Sequence, residues 1–349
     1  MSTLAFALIR WHGAHGRHDL PWQHERTPYR VWVSEIMLQQ TQVATVIDYY
    51  RRFLQRFPDV RALAAAPLDE VLHLWSGLGY YSRARNLKRA AEQIVSEHGA
   101  ELPQTLTELA ELPGIGRSTA AAILALALDK REAILDGNVR RVLSRVFGIE
   151  GSSAAPATLR VLWKRAEECT PDRDVATYTQ AIMDFGATLC TRHEPRCPEC
   201  PLQSECLAFR TGRVAELPAP RVRAARRTRS VIMLLASRQD GEILLQRRPA
   251  RGIWGGLWSP PEFDSAEAVG HYCRVTLRGA MLEPTPLPVL KHGFTHFDLE
   301  ITPMRARCEG FAGVMEGNEM LWYNARVPAR IGLPAPIATL LSTASQPSP

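Results

Sequence analysis

The chain has 349 residues, a length that makes two domains the default expectation. Its composition, 46% hydrophobic and 22% charged, is that of a globular protein and excludes a largely disordered chain. The net charge of +6 is compatible with a nucleic-acid partner but does not prove one.

The N-terminal segment has no cationic region before its short apolar run, so it predicts no signal peptide. The longest apolar stretch, residues 120–128, is too short to span a bilayer. We therefore expect no membrane association and a cytoplasmic location, where cysteines are kept reduced.

Helical periodicity dominates the chain up to about residue 210. In residues 30–57 the apolar side chains follow steps of three and four, as in Val31, Ile36, Val43, Ile47 and Leu54. The segment 117–128 is apolar almost all round, which predicts a helix buried in the middle of a bundle.

Two carboxylates in this half are candidates for acid–base chemistry. Glu35 shares a predicted helix face with Val31 and Leu38, and burial there would raise its pKa as a general acid requires. It could equally reach solvent or pair with an arginine. Asp136 immediately precedes a predicted helix, where it could cap the helix and also present a catalytic carboxylate.

The stretch "ELPGIGRSTA" joins two predicted helices through Gly114 and Gly116. Glycines allow a sharp turn that leaves backbone N–H groups exposed at the start of the second helix. These donors could bind a phosphate, and an ordinary interhelical turn would have the same pattern.

Four cysteines are clustered at Cys190, Cys197, Cys200 and Cys206. In a reducing compartment such a cluster indicates a metal site, which could hold zinc or an iron–sulfur cluster. Structural zinc sites usually contain two closely spaced pairs, whereas only Cys197 and Cys200 form one here.

The pattern changes after the helical half. Residues 212–229 are rich in arginine and contain two prolines without a clear period, which predicts a linker that could also touch phosphate. Short β-branched and alternating runs follow over residues 230–349, and they predict the strands of a small mixed domain.

Five ordered motifs together resemble the helix-hairpin-helix DNA glycosylases, the superfamily of endonuclease III, and among them the adenine DNA glycosylases. They are "VSEIMLQQTQV", "WSGLGYYSRARNL", "LPGIGRSTAAAIL", "LDGNVRRVLSR" and the cysteine spacing. The resemblance covers nearly the whole chain. It implies a multidomain protein with an all-α glycosylase domain at 1–211, a 4Fe–4S loop at 190–206, a linker at 212–229 and an α/β Nudix-like domain at 230–349.

The resemblance also implies roles for individual residues. Glu35 would protonate adenine and activate water, and Asp136 would stabilise the oxocarbenium-like sugar. The implied DNA contacts are Gln40, Leu78, Tyr80, Gly114 and Gly116, the implied adenine pocket is Trp22, Ser118, Asn138 and Gln180, and the implied ligands of one 4Fe–4S cluster are Cys190, Cys197, Cys200 and Cys206.

Residues 244–263 resemble a stretch of the Nudix hydrolases, but the glutamate-rich helix that binds metal in those enzymes is absent. The resemblance therefore implies a recognition domain, in which the loop Phe294, Thr295 and His296 reads 8-oxoguanine. Thr295 stands where the family more often has serine; its hydroxyl can still form a hydrogen bond, while its methyl group alters the loop's contact surface.

The implied function is base excision repair, in which adenine opposite 8-oxoguanine or guanine is flipped out of double-stranded DNA and hydrolysed. We expect a monomer in the bacterial cytoplasm that associates with the nucleoid by binding DNA. Bifunctional relatives carry a lysine where this chain has Ser118, which favours a monofunctional enzyme. The alternatives are a glycosylase with abasic-site lyase activity, like endonuclease III, and a non-catalytic iron–sulfur protein that binds damaged DNA.

Overall fold

The structure is a computed structural model that describes residues 2–219, 226–278, 280–282, 287–308 and 319–344. The chain forms two compact units, Met1–Ala65 with Asn86–Arg223, and Ala66–Arg85 with Ala224–Pro349. The first unit ends within the predicted linker. That residues 66–85 belong to the second unit was not predicted, because their helical pattern gives no sign of partners so distant in sequence.

Helices account for most of the first half of the chain. In chain order, the α-helices of the described residues are α1 Thr3–His15, α2 Pro21–His24, α3 Pro28–Leu38, α4 Val43–Arg56, α5 Val60–Ala65, α6 Leu68–Trp75, α7 Ser82–Glu97, α8 Leu106–Glu111, α9 Arg117–Leu128, α10 Gly137–Val146, α11 Pro156–Cys169, α12 Val175–Thr188, α13 Leu207–Arg210, α14 Ala266–Val275 and α15 Ala335–Ala344. A short 3-10 helix lies at Cys197–Glu199.

The strands follow in the second unit. They are β1 Arg227–Ser237, β2 Ile243–Arg247, β3 Trp258–Ser259, β4 Glu262–Phe263, β5 Met281–Leu282, β6 Leu290–Gly293, β7 Phe297–Arg307 and β8 Met320–Tyr323. Since β1 begins at Arg227, the last three residues of the predicted linker are part of a strand.

Helix α9 is the core of the first unit. Its residues 120–126 are all buried, and it packs against α3, α8 and α12. The prediction of a central buried helix is therefore confirmed. Helix α3 begins at Pro28, where the Thr27 hydroxyl accepts a hydrogen bond of 3.3 Å from the N–H of Arg30.

The second unit is built on one mixed sheet. Its strand order is β3-β2-β1-β7-β5, with β4 paired to β1, β6 to β7 and β8 to β2. Strands β1 and β7 are parallel, from Arg227 beside Phe297 to Ser237 beside Arg307. Helix α14 packs Val269 against the buried side chains of these strands, which confirms the predicted small α/β domain.

Within the described ranges, no helix has both the length and the apolar character that crossing a bilayer requires.

Candidate active site and DNA-recognition residues

Glu35 is a carboxylic acid in an environment that opposes its ionisation. It lies on α3 between the buried residues Ser34 and Ile36, and its own side chain is half-buried. Burial raises the pKa of Glu35 from its ordinary 4.5 to about 8, and the negative charge of Asp136 contributes to the rise. A carboxyl group with this pKa holds its proton at neutral pH and can donate it.

Asp136 is the N-cap of α10, and its carboxylate accepts a hydrogen bond of 2.7 Å from the N–H of Val139. Burial raises the pKa of Asp136, whereas the backbone N–H groups of Val139 and Asn138 and the nearby Arg141 lower it. The two influences on Glu35 both raise its pKa, whereas Asp136 also has neighbours that favour its ionised form. The pair can supply one proton and one fixed negative charge.

Helix packing brings the two carboxylates together. Helix α3 packs on α9, α9 on α12 and α12 on α10. The contact between α12 and α10 is especially close, because a Cβ at Gly186 would lie 2.7 Å from the Cβ of Asn138. Ser118 on α9 also approaches α10, since its hydroxyl accepts a hydrogen bond of 2.9 Å from the N–H of Leu135, next to Asp136.

Asn138 and Gln180, both implied for the adenine pocket, have fixed polar partners. The side-chain amide oxygen of Asn138 accepts a hydrogen bond of 2.9 Å from the Arg141 guanidinium. The Gln180 amide donates a hydrogen bond of 2.9 Å to Asp184, a fully buried carboxylate that also accepts from Arg17. Sequence reasoning missed Asp184, although it follows Gln180 by one helical turn on α12.

Trp22, the fourth residue implied for the pocket, is buried on α2. Its ring meets the ring of Tyr50 edge-on at a centroid distance of 5.5 Å. The Trp22 side chain is therefore part of the packed interior of the first unit.

The two glycines of the hairpin between α8 and α9 differ in backbone conformation and in the space around them. Gly114 has a φ of +80°, and a Cβ there would lie 2.8 Å from the Cβ of Asn86. Gly116 is the exposed N-cap of α9, and a Cβ on it would meet nothing within 4 Å. Ile115 between them is buried and anchors the turn. The first N–H groups of α9 are thus available to a phosphate.

The residues implied for DNA contact differ in exposure. Gln40 follows α3, is exposed and has a φ of +59°. Tyr80 is 47% exposed, whereas Leu78 is only 6% exposed. A DNA contact through Leu78 stays a prediction, and its side chain is buried in this structure.

The loop Phe294, Thr295 and His296 connects β6 and β7. Thr295 and His296 are exposed, while Phe294 stacks on Phe297 at a centroid distance of 4.6 Å. The hydroxyl oxygens of Tyr80 and Thr295 lie 3.0 Å apart, within hydrogen-bond distance. Tyr80, which the resemblance implies as a DNA contact, therefore lies next to the implied base-recognition loop within the second unit.

Cys190, Cys197, Cys200 and Cys206 line one common cavity. Burial raises the pKa of Cys200 to about 11, and the neighbouring sulfur atoms contribute to the rise. Among the described residues, no three His, Cys, Asp or Glu side chains form a site for a single metal ion. Four thiols around one cavity are the soft donor set that iron–sulfur clusters use.

Arg145 organises this cysteine loop and was missed by sequence reasoning. It is 2% exposed, and its guanidinium donates hydrogen bonds to the carbonyls of Thr191 (2.6 Å) and Arg192 (3.1 Å). It also lies 3.4 Å from the sulfur of Cys190. The available signal was an arginine at an apolar-face position of α10, three residues after Val142 and next to Val146.

Residues 33–168 match the family described as HhH-GPD superfamily base excision DNA repair protein, and residues 232–343 match the NUDIX domain. The adenine DNA glycosylase of Buchnera aphidicola subsp. Baizongia pistaciae is 35% identical over 98% of this chain and 97% of its own length. The adenine DNA glycosylase of Mus musculus is 36% identical over 84% of this chain and 68% of its own length.

Among solved structures, a thermostable thymine-DNA glycosylase is 28% identical with a TM-score of 0.55, covering 60% of this chain and 95% of that one. The helical fold, its hairpin and the paired carboxylates define a DNA N-glycosylase of the helix-hairpin-helix class. With full-length relatives at this identity, the chain belongs to the adenine DNA glycosylase family. It is therefore a DNA-binding enzyme of base excision repair with a Nudix-like second domain.

Proposed function

We propose that the protein removes adenine paired with 8-oxoguanine or guanine in double-stranded DNA, and that it acts as a monofunctional, monomeric glycosylase. The observation that carries the proposal is the pair of Glu35, whose pKa is raised to about 8, and Asp136, which is held at a helix N-terminus.

Cleavage of an N-glycosyl bond needs a leaving base that becomes neutral and a sugar cation that is stabilised. Protonated Glu35 would donate its proton to the adenine ring, so that the base leaves without negative charge. The Asp136 carboxylate would stabilise the positive charge on the sugar, and ionised Glu35 would then take a proton from the attacking water. Trp22, Ser118, Asn138 and Gln180 would bind the extruded adenine.

The base must leave the duplex stack before it can react, and the gap it leaves must be filled. Exposed Gln40 and Tyr80 are the side chains proposed for this contact with DNA. Gly114 and Gly116 would present backbone N–H groups to a phosphate of the same duplex. Each of these groups binds the DNA without reading its sequence.

The loop Phe294, Thr295 and His296 would read the oxidised guanine. The exposure of Thr295 and His296 and the proximity of Tyr80 to Thr295 support this role. Hydroxyl and imidazole groups can pair with the oxygen and N–H that oxidation adds to guanine. The loop would thus distinguish the two purines that can stand opposite adenine.

We also propose that Cys190, Cys197, Cys200 and Cys206 hold one 4Fe–4S cluster. The cavity that the four thiols share supports this ligand set. When bound, the cluster would cross-link the loop to the end of the helical unit and display Arg192, His193 and Arg196 towards phosphates.

Monofunctional cleavage is supported by the surroundings of Ser118. Its hydroxyl is engaged by the N–H of Leu135, and the position carries no amine that could form a Schiff base with the abasic sugar. The strand should therefore remain intact after the base has left.

The decisive experiment is single-turnover incubation with a duplex that contains one adenine opposite 8-oxoguanine, and a matched duplex with guanine in that position. Adenine should be released from both, faster from the first, and the strand should break only on heating in alkali. Strand breakage without alkali, with borohydride trapping of an adduct, would establish the lyase alternative. Binding without release of adenine would establish the non-catalytic alternative.

A further inference from the structure

Residues 77–80 form a strained loop that ends at the exposed side chain of Tyr80. Gly77, Gly79 and Tyr80 have φ values of +101°, +73° and +48°. Glycine adopts such left-handed values readily, whereas Tyr80 has a Cβ and adopts them at a cost in conformational energy. A strained residue of this kind persists only where the surrounding structure fixes it. Because Tyr80 is 47% exposed, its own ring supplies little of the packing that the loop requires.

Arg83 holds the backbone of this loop. It lies in the first turn of α7 and is buried, with 7% of its surface exposed. Its guanidinium donates hydrogen bonds to the carbonyl oxygens of Leu78 at 3.2 Å and Gly79 at 3.1 Å. The indole N–H of Trp75 also donates to the Gly79 carbonyl, at 3.2 Å. Burial lowers the pKa of Arg83 to about 10, so the guanidinium is still charged at neutral pH and its hydrogen bonds are charge-assisted.

Arg83 also contacts Tyr80 itself. The backbone N–H of Arg83 donates a hydrogen bond of 2.9 Å to the carbonyl oxygen of Tyr80. The central carbon of the guanidinium lies 5.6 Å from the ring centroid of Tyr80 and 5.4 Å from that of Trp75. These are distances of cation–π contacts. One buried arginine therefore contacts three consecutive residues of the loop, Leu78, Gly79 and Tyr80.

We propose that Arg83 is a positioning residue that holds the Tyr80 side chain in the orientation in which it enters the base stack of DNA. The inference rests on the proposed contact of Tyr80 with DNA and adds the group that prepares it. Without the guanidinium, the carbonyls of Leu78 and Gly79 would turn to water and the strained loop would relax. Binding would then have to order the loop, at an entropic cost that the wild type avoids. Arg83 acts from beneath the loop and need not touch the DNA.

The test measures base unstacking directly. A duplex with adenine opposite 8-oxoguanine carries 2-aminopurine beside the 8-oxoguanine, and this base fluoresces more strongly when it is unstacked. At saturating full-length protein, Arg83→Met and Tyr80→Ala should each lose most of the fluorescence increase that the wild type gives. The single-turnover rate of adenine release should fall by about tenfold in Arg83→Met, the value of the two lost hydrogen bonds. The double variant should be no worse than Tyr80→Ala, because Arg83 acts through Tyr80.

Lys88 provides a matched control, since it is a second buried cation of α7. It is 6% exposed, and its ammonium donates to the carbonyl oxygen of Ala64 at 2.6 Å and pairs with Glu92. Lys88→Met removes these contacts and leaves the 77–80 loop intact, so it should lower the Tm without changing the fluorescence increase. Arg83→Lys should give a response between those of Arg83→Met and the wild type, because an ammonium keeps the charge but lacks the planar group that contacts both rings.

A folded Arg83→Met protein whose fluorescence increase equals that of the wild type or of Lys88→Met overturns the proposal, as do additive losses in the double variant. If Arg83→Met does not fold, Arg83→Lys decides: a response below that of the wild type supports the proposal, and an equal response overturns it. A full response in Tyr80→Ala would overturn the proposed DNA contact of Tyr80 together with this inference. A loss in Tyr80→Ala that is absent from Arg83→Met would overturn only the role of Arg83.

Discussion

The phenol oxygen of Tyr80 lies 3.0 Å from the hydroxyl oxygen of Thr295, which joins two segments that are distant in sequence. Two further hydrogen bonds join residues 66–85 to the C-terminal segment. The Tyr81 hydroxyl donates to the carbonyl oxygen of Leu333 at 3.1 Å, and the Arg247 guanidinium donates to the Asp69 carboxylate at 2.6 Å. Residues 66–85 are thereby part of the C-terminal unit. The exposed side chain of Tyr80 lies beside the Phe294, Thr295 and His296 loop, which is proposed to read 8-oxoguanine.

We expect the Tyr80–Thr295 contact to contribute to discrimination between 8-oxoguanine and guanine. Tyr80→Phe and Thr295→Val should each reduce the ratio of the two excision rates by about two- to tenfold, the value of one neutral hydrogen bond. The double variant should be little worse than either single one, because both remove the same interaction. Single-turnover rates on the two duplexes measure this, with Thr295→Ser as the control that keeps the hydroxyl. Fully additive effects would show that the two side chains act independently.

The raised pKa of Glu35 predicts a pH dependence of catalysis. The protonated acid is the active form, so the single-turnover rate of adenine release should be lost as the pH rises through about 8. Glu35→Gln should bind the mispaired duplex while its rate falls by about a hundredfold or more. A wild-type rate that is constant from pH 7 to well above the pKa of Glu35 would contradict the assignment of the acid.

The raised pKa of Glu35 also predicts that the folded protein is destabilised at a pH at which unfolded Glu35 would ionise. Folded Glu35 keeps its proton up to about pH 8, whereas unfolded Glu35 releases it near its ordinary pKa of 4.5. The folded state therefore binds more protons between these values, and the free energy of unfolding decreases as the pH rises through this window. Glu35→Gln should have a higher Tm than the wild type at pH 8, and the difference should vanish as the pH falls to 4.5. A difference that does not vary with pH would contradict this account.

Arg145 should be essential to the cysteine loop. Replacing buried Arg145 by methionine removes the donor to the part-buried carbonyls of Thr191 and Arg192, which should destabilise the protein by about 3 kcal/mol or more. We also expect less iron per purified chain. Chemical denaturation and iron analysis measure the two effects. Arg196→Ala is the matched control, because this exposed arginine pairs with Glu199 at the surface and should cost at most about 1 kcal/mol.

The two glycines of the hairpin should differ in their tolerance of a side chain. Gly114→Ala would combine a positive φ with a contact of 2.8 Å to Asn86, so it should destabilise the protein and weaken duplex binding. The backbone strain alone is about 1–2 kcal/mol. Gly116→Ala meets no atom within 4 Å and should keep the stability of the wild type. Equal Tm values for the two variants would show that the turn adapts to a Cβ at Gly114.

The sequence by itself determined the elements whose causes are local. The buried helix α9 follows from an uninterrupted apolar run, and the cap at Asp136 follows from a short polar residue just before an amphipathic segment. The strands of the second unit likewise follow from β-branched runs between turn residues. The motifs that carry the family resemblance are equally local, so the candidate acid, the hairpin and the cysteine set could be named without coordinates.

Only the tertiary structure decided what these elements contact. The raised pKa of Glu35 depends on burial and on Asp136, which reaches it through the packing of α3, α9, α12 and α10. The burial of Arg145 under the cysteine loop and the integration of residues 66–85 into the C-terminal unit also depend on long-range packing. Sequence periodicity shows which face of a helix or strand is apolar. It does not show which distant element covers that face, because the hydrophobic effect is non-directional. Hydrogen-bond partners far apart in sequence are set by that packing.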